Sequence, residues 1–271
     1  MTINKNELSF PPLTSLQSFV IGSLSGAIEV LFNHPLLIIK NRLQAREPFT
    51  LRPRVLYTGL WLNVFSKTPI TAIQVGMNQV LIKKIDPDDI GLSKSKSVCI
   101  ALAAGFLSSF VCCPTERIIT VMSPKTKDEP KVPLRIAVPR LLQTGGIRYL
   151  FIGLIGTILR ESPFSAFFLI VYPQAKDYFY SHHTPNILHA SLAAGISCGI
   201  SLAALTQPAD TIKTLQQSSE APQSFYRTAC IQHKKYGIPG FFKGLTPRVA
   251  RVTSAVVILS EAKTAIENVL N

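Results

Sequence analysis

The segment Pro208-Ala209-Asp210-Thr211-Ile212-Lys213 stands at the end of an apolar run, Ala193 to Leu205. Proline lacks an N–H and its ring crowds the preceding turn, so it ends or kinks a helix there. An Asp and a Lys beside a membrane-type helix are costly unless they face a polar interior or each other. The same arrangement occurs twice more. Pro114-Thr115-Glu116-Arg117-Ile118-Ile119 follows Val98 to Cys113, and Pro35-Leu36-Leu37-Ile38-Ile39-Lys40 follows Phe19 to Phe32. Small residues precede each proline at matching offsets: Gly22 and Gly26, Ala101 and Gly105, Gly195 and Gly199. Such small-xxx-small patterns let membrane helices approach closely. A second motif repeats in register: Gly240-Phe241-Phe242-Lys243-Gly244-Leu245, then Tyr149-Leu150-Phe151-Ile152-Gly153-Leu154, and more faintly Tyr57-Thr58-Gly59-Leu60. A unit of roughly ninety residues, used three times, constrains the fold more than any single motif.

The pattern resembles the mitochondrial carrier family, whose signature is Pro-x-[Asp/Glu]-x-x-[Lys/Arg] followed, after a loop, by an aromatic-basic-glycine triplet. The match is complete in the third repeat and degraded in the first two. The resemblance implies an all-α membrane protein: six transmembrane helices, as three two-helix repeats with pseudo-three-fold symmetry around a central cavity. It implies a multi-pass protein of the mitochondrial inner membrane, with basic loops facing the matrix. The degenerate motifs also resemble carrier-like effectors that some intracellular bacteria deliver into host mitochondria.

The chain reads as one carrier domain, 1–271, with repeats at 12–88, 89–184 and 185–271; turn-rich Asp86-Pro87-Asp88-Asp89 and His182 to Pro185 mark the edges. Long helices are expected at Ser15 to Gln44, Leu60 to Lys84, Lys94 to Met122, Gly156 to Tyr180, Asn186 to Gln217 and Pro247 to Val269. Pro35, Pro114 and Pro208 are the expected kinks. Short surface helices are expected at Leu134 to Gln143 and Ser224 to Tyr236. The stretch between Pro35 and Gly59 is too short and proline-interrupted for a third.

Only 16% of the 271 residues are charged, yet the formal net charge is +13. The basic residues sit between apolar spans, which points to loops against anionic lipid and away from nucleic acid. The five cysteines, Cys99, Cys112, Cys113, Cys198 and Cys230, are odd in number and fit no metal spacing. No nucleophile–base set or phosphate-binding glycine loop is present. The expectation is therefore a monomer that is no enzyme, binds no cofactor or metal, and has a small-molecule metabolite and the lipid bilayer as partners.

In the family the acid of one repeat pairs with the base of the next, closing the matrix side. By that resemblance Glu116 pairs with Lys213 and Asp210 with Lys40, while Leu37 and Ile119 replace the third pair. Both charges of that pair are missing together. This is physically sensible, because losing one alone strands a buried charge while replacing both can be neutral. The corresponding motifs of the opposite gate fall on Asn78, Gln79 and Ile82, on Tyr172, Pro173 and Lys176, and on Lys263, Thr264 and Glu267. None is intact, so the resting protein is expected to open toward the intermembrane space.

Ionisable residues at membrane depth are functional candidates by default. Here they are Glu29, Lys67, Arg160, Glu161 and Arg251. The Arg160-Glu161 doublet resembles the contact site of carriers for amino acids or S-adenosylmethionine. Arg would grip a carboxylate, and Glu161 or Glu29 an ammonium or sulfonium; Glu29 could also neutralise Arg160 or Arg251. Lys67, Arg160 and Arg251, with Lys40 and Lys213 below, could equally form a cationic funnel for the phosphates of an ATP-type nucleotide. A carrier-fold protein that no longer transports and acts through partner binding is the competing class.

Overall fold

The computed structural model describes residues 14–44, 52–57, 60–86, 92–122, 133–183, 186–219, 223–242 and 244–270, and among them every regular element is helical. Side chains at 36–37, 39–44, 54–55, 62, 218 and 270 also lie outside the described residues. The first repeat holds α1 (Ser15–Gln44), a single turn α2 (Pro53–Leu56) and α3 (Leu60–Ile85). The second holds α4 (Lys94–Met122), α5 (Leu134–Gly145), α6 (Leu154–Ala166) and α7 (Tyr172–His182). The third holds α8 (Ile187–Ser218), α9 (Phe225–Tyr236) and α10 (Leu245–Leu270).

The long helices close a ring in chain order. Helix α1 packs on α3, α3 on α4, α4 on α6, α6 and α7 on α8, α8 on α10, and α10 back on α1. A closed ring leaves one face of each helix for its neighbours and lipid and one for the centre. That is why, among the described residues, four segments are long and apolar enough to cross a membrane by composition alone: Ser15–Pro35, Lys94–Met122, Leu154–His182 and Ile187–Gln217. Charge on the inner face lowers the average of α3 and α10 without excluding them from the ring.

Glycine sets the spacing within each repeat. Nine residues before each proline, a Cβ on Gly105 would lie 2.5 Å from the Glu161 carbonyl oxygen and 2.6 Å from Ser162 Cα. On Gly199 it would lie 2.8 Å from Thr253 Cα, and on Gly26 it would meet the Thr71 hydroxyl. The first long helix of each repeat (α1, α4, α8) thus presses the second (α3, α6, α10) at an equivalent point, as small residues permit. The glycines that open α6 and α10, Gly153 and Gly244, share φ = 87°, a left-handed value that any side chain would strain.

The prolines do not end the helices. Pro35, Pro114 and Pro208 each lie inside an unbroken helix. The expected surface helices are present as α5 and α9, and in the first repeat only the single turn α2 stands in their place. One irregularity was not foreseen. Residues Phe167–Val171 form a π-helical turn between α6 and α7. Ser260 Oγ of α10 donates to the Phe168 carbonyl oxygen at 2.9 Å, taking up an acceptor in the widened turn.

Candidate functional site

Six residues bearing charge converge on the inner face at the end of the ring nearest α5 and α9. Arg160 sits two turns into α6. Its guanidinium reaches Glu116 of α4 at 2.7 Å, Glu161 at 2.6 Å and Asp210 of α8 at 3.3 Å. Lys213 of α8 donates to the other oxygen of Glu116. Arg248, at the start of α10, meets Asp210 at 2.7 Å and donates to Thr206 Oγ1, also at 2.7 Å. Three cations therefore face three carboxylates. The floor is electrically balanced and Lys213 is buried within it. Buried charges persist only when paired and hydrogen-bonded, and these are.

The expected gate residues fall as follows. Glu116 and Lys213 are in contact. Asp210 is held by Arg248 and Arg160; the side chains of Lys40 and Leu37 lie outside the described residues. Ile119 is on α4, one turn beyond Glu116. Arg117, which the sequence reading passed over, is buried. It donates to the Gln217 carbonyl oxygen of α8 and lies over the Tyr149 ring at 5.3 Å. Gln217 in turn donates to the Ile152 carbonyl oxygen at 3.1 Å. Repeats two and three are thereby stitched together beneath the floor.

Above the floor lies a cavity of about 90 Å³, lined by Glu29, Asn33, Lys67, Gln74, Arg160 and Arg251 among others. All five candidate substrate residues border it, but they are not equivalent. The doublet is committed. Arg160 is spent on three acids, and Glu161 accepts from Arg160 Nε at 2.9 Å and from Gln74 Nε2 at 2.9 Å. Glu29 neutralises neither arginine; it accepts from Asn33 Nδ2 at 2.6 Å. Among the described residues the side chains of Lys67 and Arg251, which border the cavity, make no direct hydrogen bond or ion pair, while Lys67 lies within electrostatic reach of Glu116 and Glu161 and Arg251 of Asp210. The uncommitted charge of the cavity is thus two cations and one carboxylate.

Beyond the cavity, Val75 of α3, Phe168 of the π turn and Leu259 of α10 meet as an apolar plug. Further out, Lys176 of α7 pairs with Glu261 of α10 at 2.6 Å. Tyr172 Oη and Ser191 Oγ donate to the same oxygen at 2.8 and 3.1 Å. The expectation of three broken motifs at this end is corrected in one respect. The acid that answers Lys176 is Glu261, while Lys263 and Glu267 pair with each other along α10 at 2.7 Å.

A ring of six long helices around a charged cavity, with ionic closures toward both ends, defines a membrane solute carrier. The profile described as "Mitochondrial carrier protein" matches residues 92–183 and 185–270. The chain is 30% identical to the "Mitochondrial carnitine carrier" of Saccharomyces cerevisiae, over 90% of this chain and 84% of that protein. It is 28% identical to "Mitochondrial glycine transporter A" of Danio rerio, over 88% and 90%. It is 27% identical to "Mitochondrial citrate transporter B" of Aspergillus niger, over 87% of each. The chain belongs to the mitochondrial carrier family, whose members are transporters and not enzymes.

Proposed function

We propose that this carrier moves a small zwitterionic, amino-acid-type solute across the mitochondrial inner membrane by alternating access. The observation that carries this reading is the division of charge in the cavity. The floor cancels itself, which leaves Lys67 and Arg251 opposite Glu29. Two cations take a carboxylate and one acid takes an ammonium. The funnel expected for a nucleotide loses Arg160 and Lys213 to the floor, so it is weakly matched to a triphosphate. The volume agrees: one water needs roughly 10–15 Å³ by this measure, so about 90 Å³ suits an amino acid better than a nucleotide. Glycine and carnitine, named in two of the relatives, are themselves zwitterions, whereas citrate is not.

In this reading Glu116, Lys213, Asp210, Arg248 and Arg160 form the matrix gate, and Lys40, Leu37 and Ile119 complete it. Lys176 and Glu261 latch the opposite side. The three repeats, 12–88, 89–184 and 185–271, rock as units within a monomer whose basic loops touch anionic lipid. The test is uptake by proteoliposomes offered radiolabelled glycine, S-adenosylmethionine, arginine, ATP, malate and citrate side by side. Uptake of an amino-acid-type solute, abolished by Lys67→Met or Arg251→Leu, supports the proposal. Uptake of ATP alone restores the nucleotide reading, and no uptake by folded protein favours a carrier-fold protein that acts through a partner.

A further inference from the structure

Three successive residues of α10 meet three layers of one closure. Leu259 packs with Phe168 and Val75 in the apolar plug and also borders the cavity. Ser260 is buried and donates to the Phe168 carbonyl oxygen at 2.9 Å. Glu261 takes Lys176 Nζ at 2.6 Å, Tyr172 Oη at 2.8 Å and Ser191 Oγ at 3.1 Å on one oxygen. The middle contact meets a need that the sequence itself creates. Through the π turn, the Tyr172 N–H reaches back to the Phe167 carbonyl. The next residue, Pro173, has no N–H to give. The Phe168 carbonyl is therefore passed over by both backbone groups that an α or a π turn would offer it. Inside a bilayer an unmet carbonyl is costly, and a Ser hydroxyl from a neighbouring helix is one of the few groups that can meet it.

The π turn also sets where α7 points. It holds about one residue more than an α turn, and each α-helical residue rotates the helix by about 100°. Tyr172 and Lys176 lie one turn apart on α7. If the turn tightened into an α-helix, both would swing by about that angle relative to α6 and come away from Glu261. Resting on the reading of Lys176–Glu261 as the latch, we propose that Ser260 is a positioning residue of the transport cycle. Its hydroxyl holds the π turn in register, so that plug and latch close together and open together. When α10 parts from α6 and α7, water entering the cavity replaces Ser260 on the carbonyl, so the open state does not depend on the hydroxyl. The closed state does, because there the carbonyl has no water to turn to. Ser260 touches neither solute nor ion pair; it acts through Phe168, Tyr172 and Lys176.

The experiment places a reporter, Ala255→Cys, at a cavity-lining position of the full chain. A membrane-impermeant maleimide is offered from each side in turn in oriented proteoliposomes, and the chain without the reporter gives the background of the five native cysteines. Ser260→Ala is expected to raise labelling from the intermembrane-space side roughly two- to tenfold, the range that one lost neutral hydrogen bond sets. Labelling from the matrix side does not rise. Ser260→Thr keeps the hydroxyl and restores the native rate, whereas Ser260→Val has the same shape without it and does not. A merely structural loosening would raise labelling from both sides alike, and that result overturns the proposal. In Ser260→Ala combined with Lys176→Ala, the rise falls short of the product of the two single rises, because the first change has already weakened the latch. A full product means two independent contacts and overturns the coupling. If Lys176→Ala raises the rate and Ser260→Ala does not, the latch stands and this inference falls. If neither raises it, the latch itself is lost and this inference with it.

Discussion

Repeats two and three are joined differently from repeat one and its neighbour in the ring. Across the seam between the second and third repeats run Glu116–Lys213, Arg160–Asp210, Arg117 to the Gln217 carbonyl, and, at the far end, Lys176–Glu261. Across the seam between the first and second repeats, the described direct links are hydrogen bonds from the Gln74 amide to Ser108 at 3.3 Å and to the Glu161 carboxylate at 2.9 Å, with Lys67 within electrostatic reach of Glu116 and Glu161. Leu37, where the family signature has an acid, belongs to the same first repeat. Among the described residues, direct ion pairs cross one seam, and packing with amide hydrogen bonds crosses the other. Neutral packing re-forms in a new register without stranding a charge, whereas an ion pair that opens must find new partners. The difference teaches that three-fold symmetry of the backbone need not mean three-fold symmetry of the bonds between repeats.

The strongest way to break this comparison is at Glu116. Glu116→Ala leaves Arg160 and Lys213 short of a shared acid, and removing one partner of a buried ionic group costs about 3–5 kcal/mol. The expected outcome is a large drop in melting temperature in detergent, with loss of uptake. An unchanged melting temperature would show that the stitched seam is not held by its ions. The next effect is steric. A methyl at Gly105 meets the Glu161 and Ser162 backbone, while one at Gly26 meets first the Thr71 side chain. Overpacking of this kind costs typically about 1–3 kcal/mol. Gly105→Ala is expected to lower the melting temperature clearly more than Gly26→Ala; equal losses would contradict a softer first repeat.

Smaller again is Tyr172→Phe, which removes a hydrogen bond to Glu261 worth about 0.5–1.5 kcal/mol. Smallest in stability is Lys176→Ala. Glu261 is 40% exposed, and such pairs contribute about 0–1 kcal/mol. The melting temperature should barely move, but cysteine labelling of cavity positions from the intermembrane-space side should rise if Lys176–Glu261 latches that end. No change in labelling would remove the latch from the proposed cycle.

The helical frame was legible because it is written three times. Periodic prolines, glycines and apolar runs placed the helices to within about two residues. The ends of α3, α6–α7 and α10 run slightly past expectation, since helices continue wherever nothing breaks them. The π turn was not legible. Phe-Phe-Leu-Ile-Val carries no proline, glycine or polar mark, and the contact that steadies it, Ser260, is far away in sequence. In the site, the charged residues were visible by type but not by allegiance. Whether Arg160 is offered to a solute or bound to Glu116 and Asp210 depends on distances between helices that spacing along one helix cannot give. Gln74, which holds Glu161, was missed for a plainer reason: a neutral amide in an apolar helix reads as packing. Glu261 was missed because it stands two residues before Lys263, the position that repeat counting matches to Tyr172, and only the packing of α7 on α10 brings it to Lys176.

The balanced floor has an electrical consequence. Moving one elementary charge through the whole of a bilayer's voltage drop takes about 2.3 kcal/mol per 100 mV. Three guanidinium and ammonium groups that travel together with three carboxylates form a nearly neutral package, so the voltage does little work on it as it rearranges. What the voltage grips is the uncompensated pair Lys67 and Arg251 against Glu29, together with whatever charge the cargo adds. A zwitterion adds none. The turnover rate would then respond to potential in the same way loaded or unloaded, a current signature that a multiply charged anion could not share.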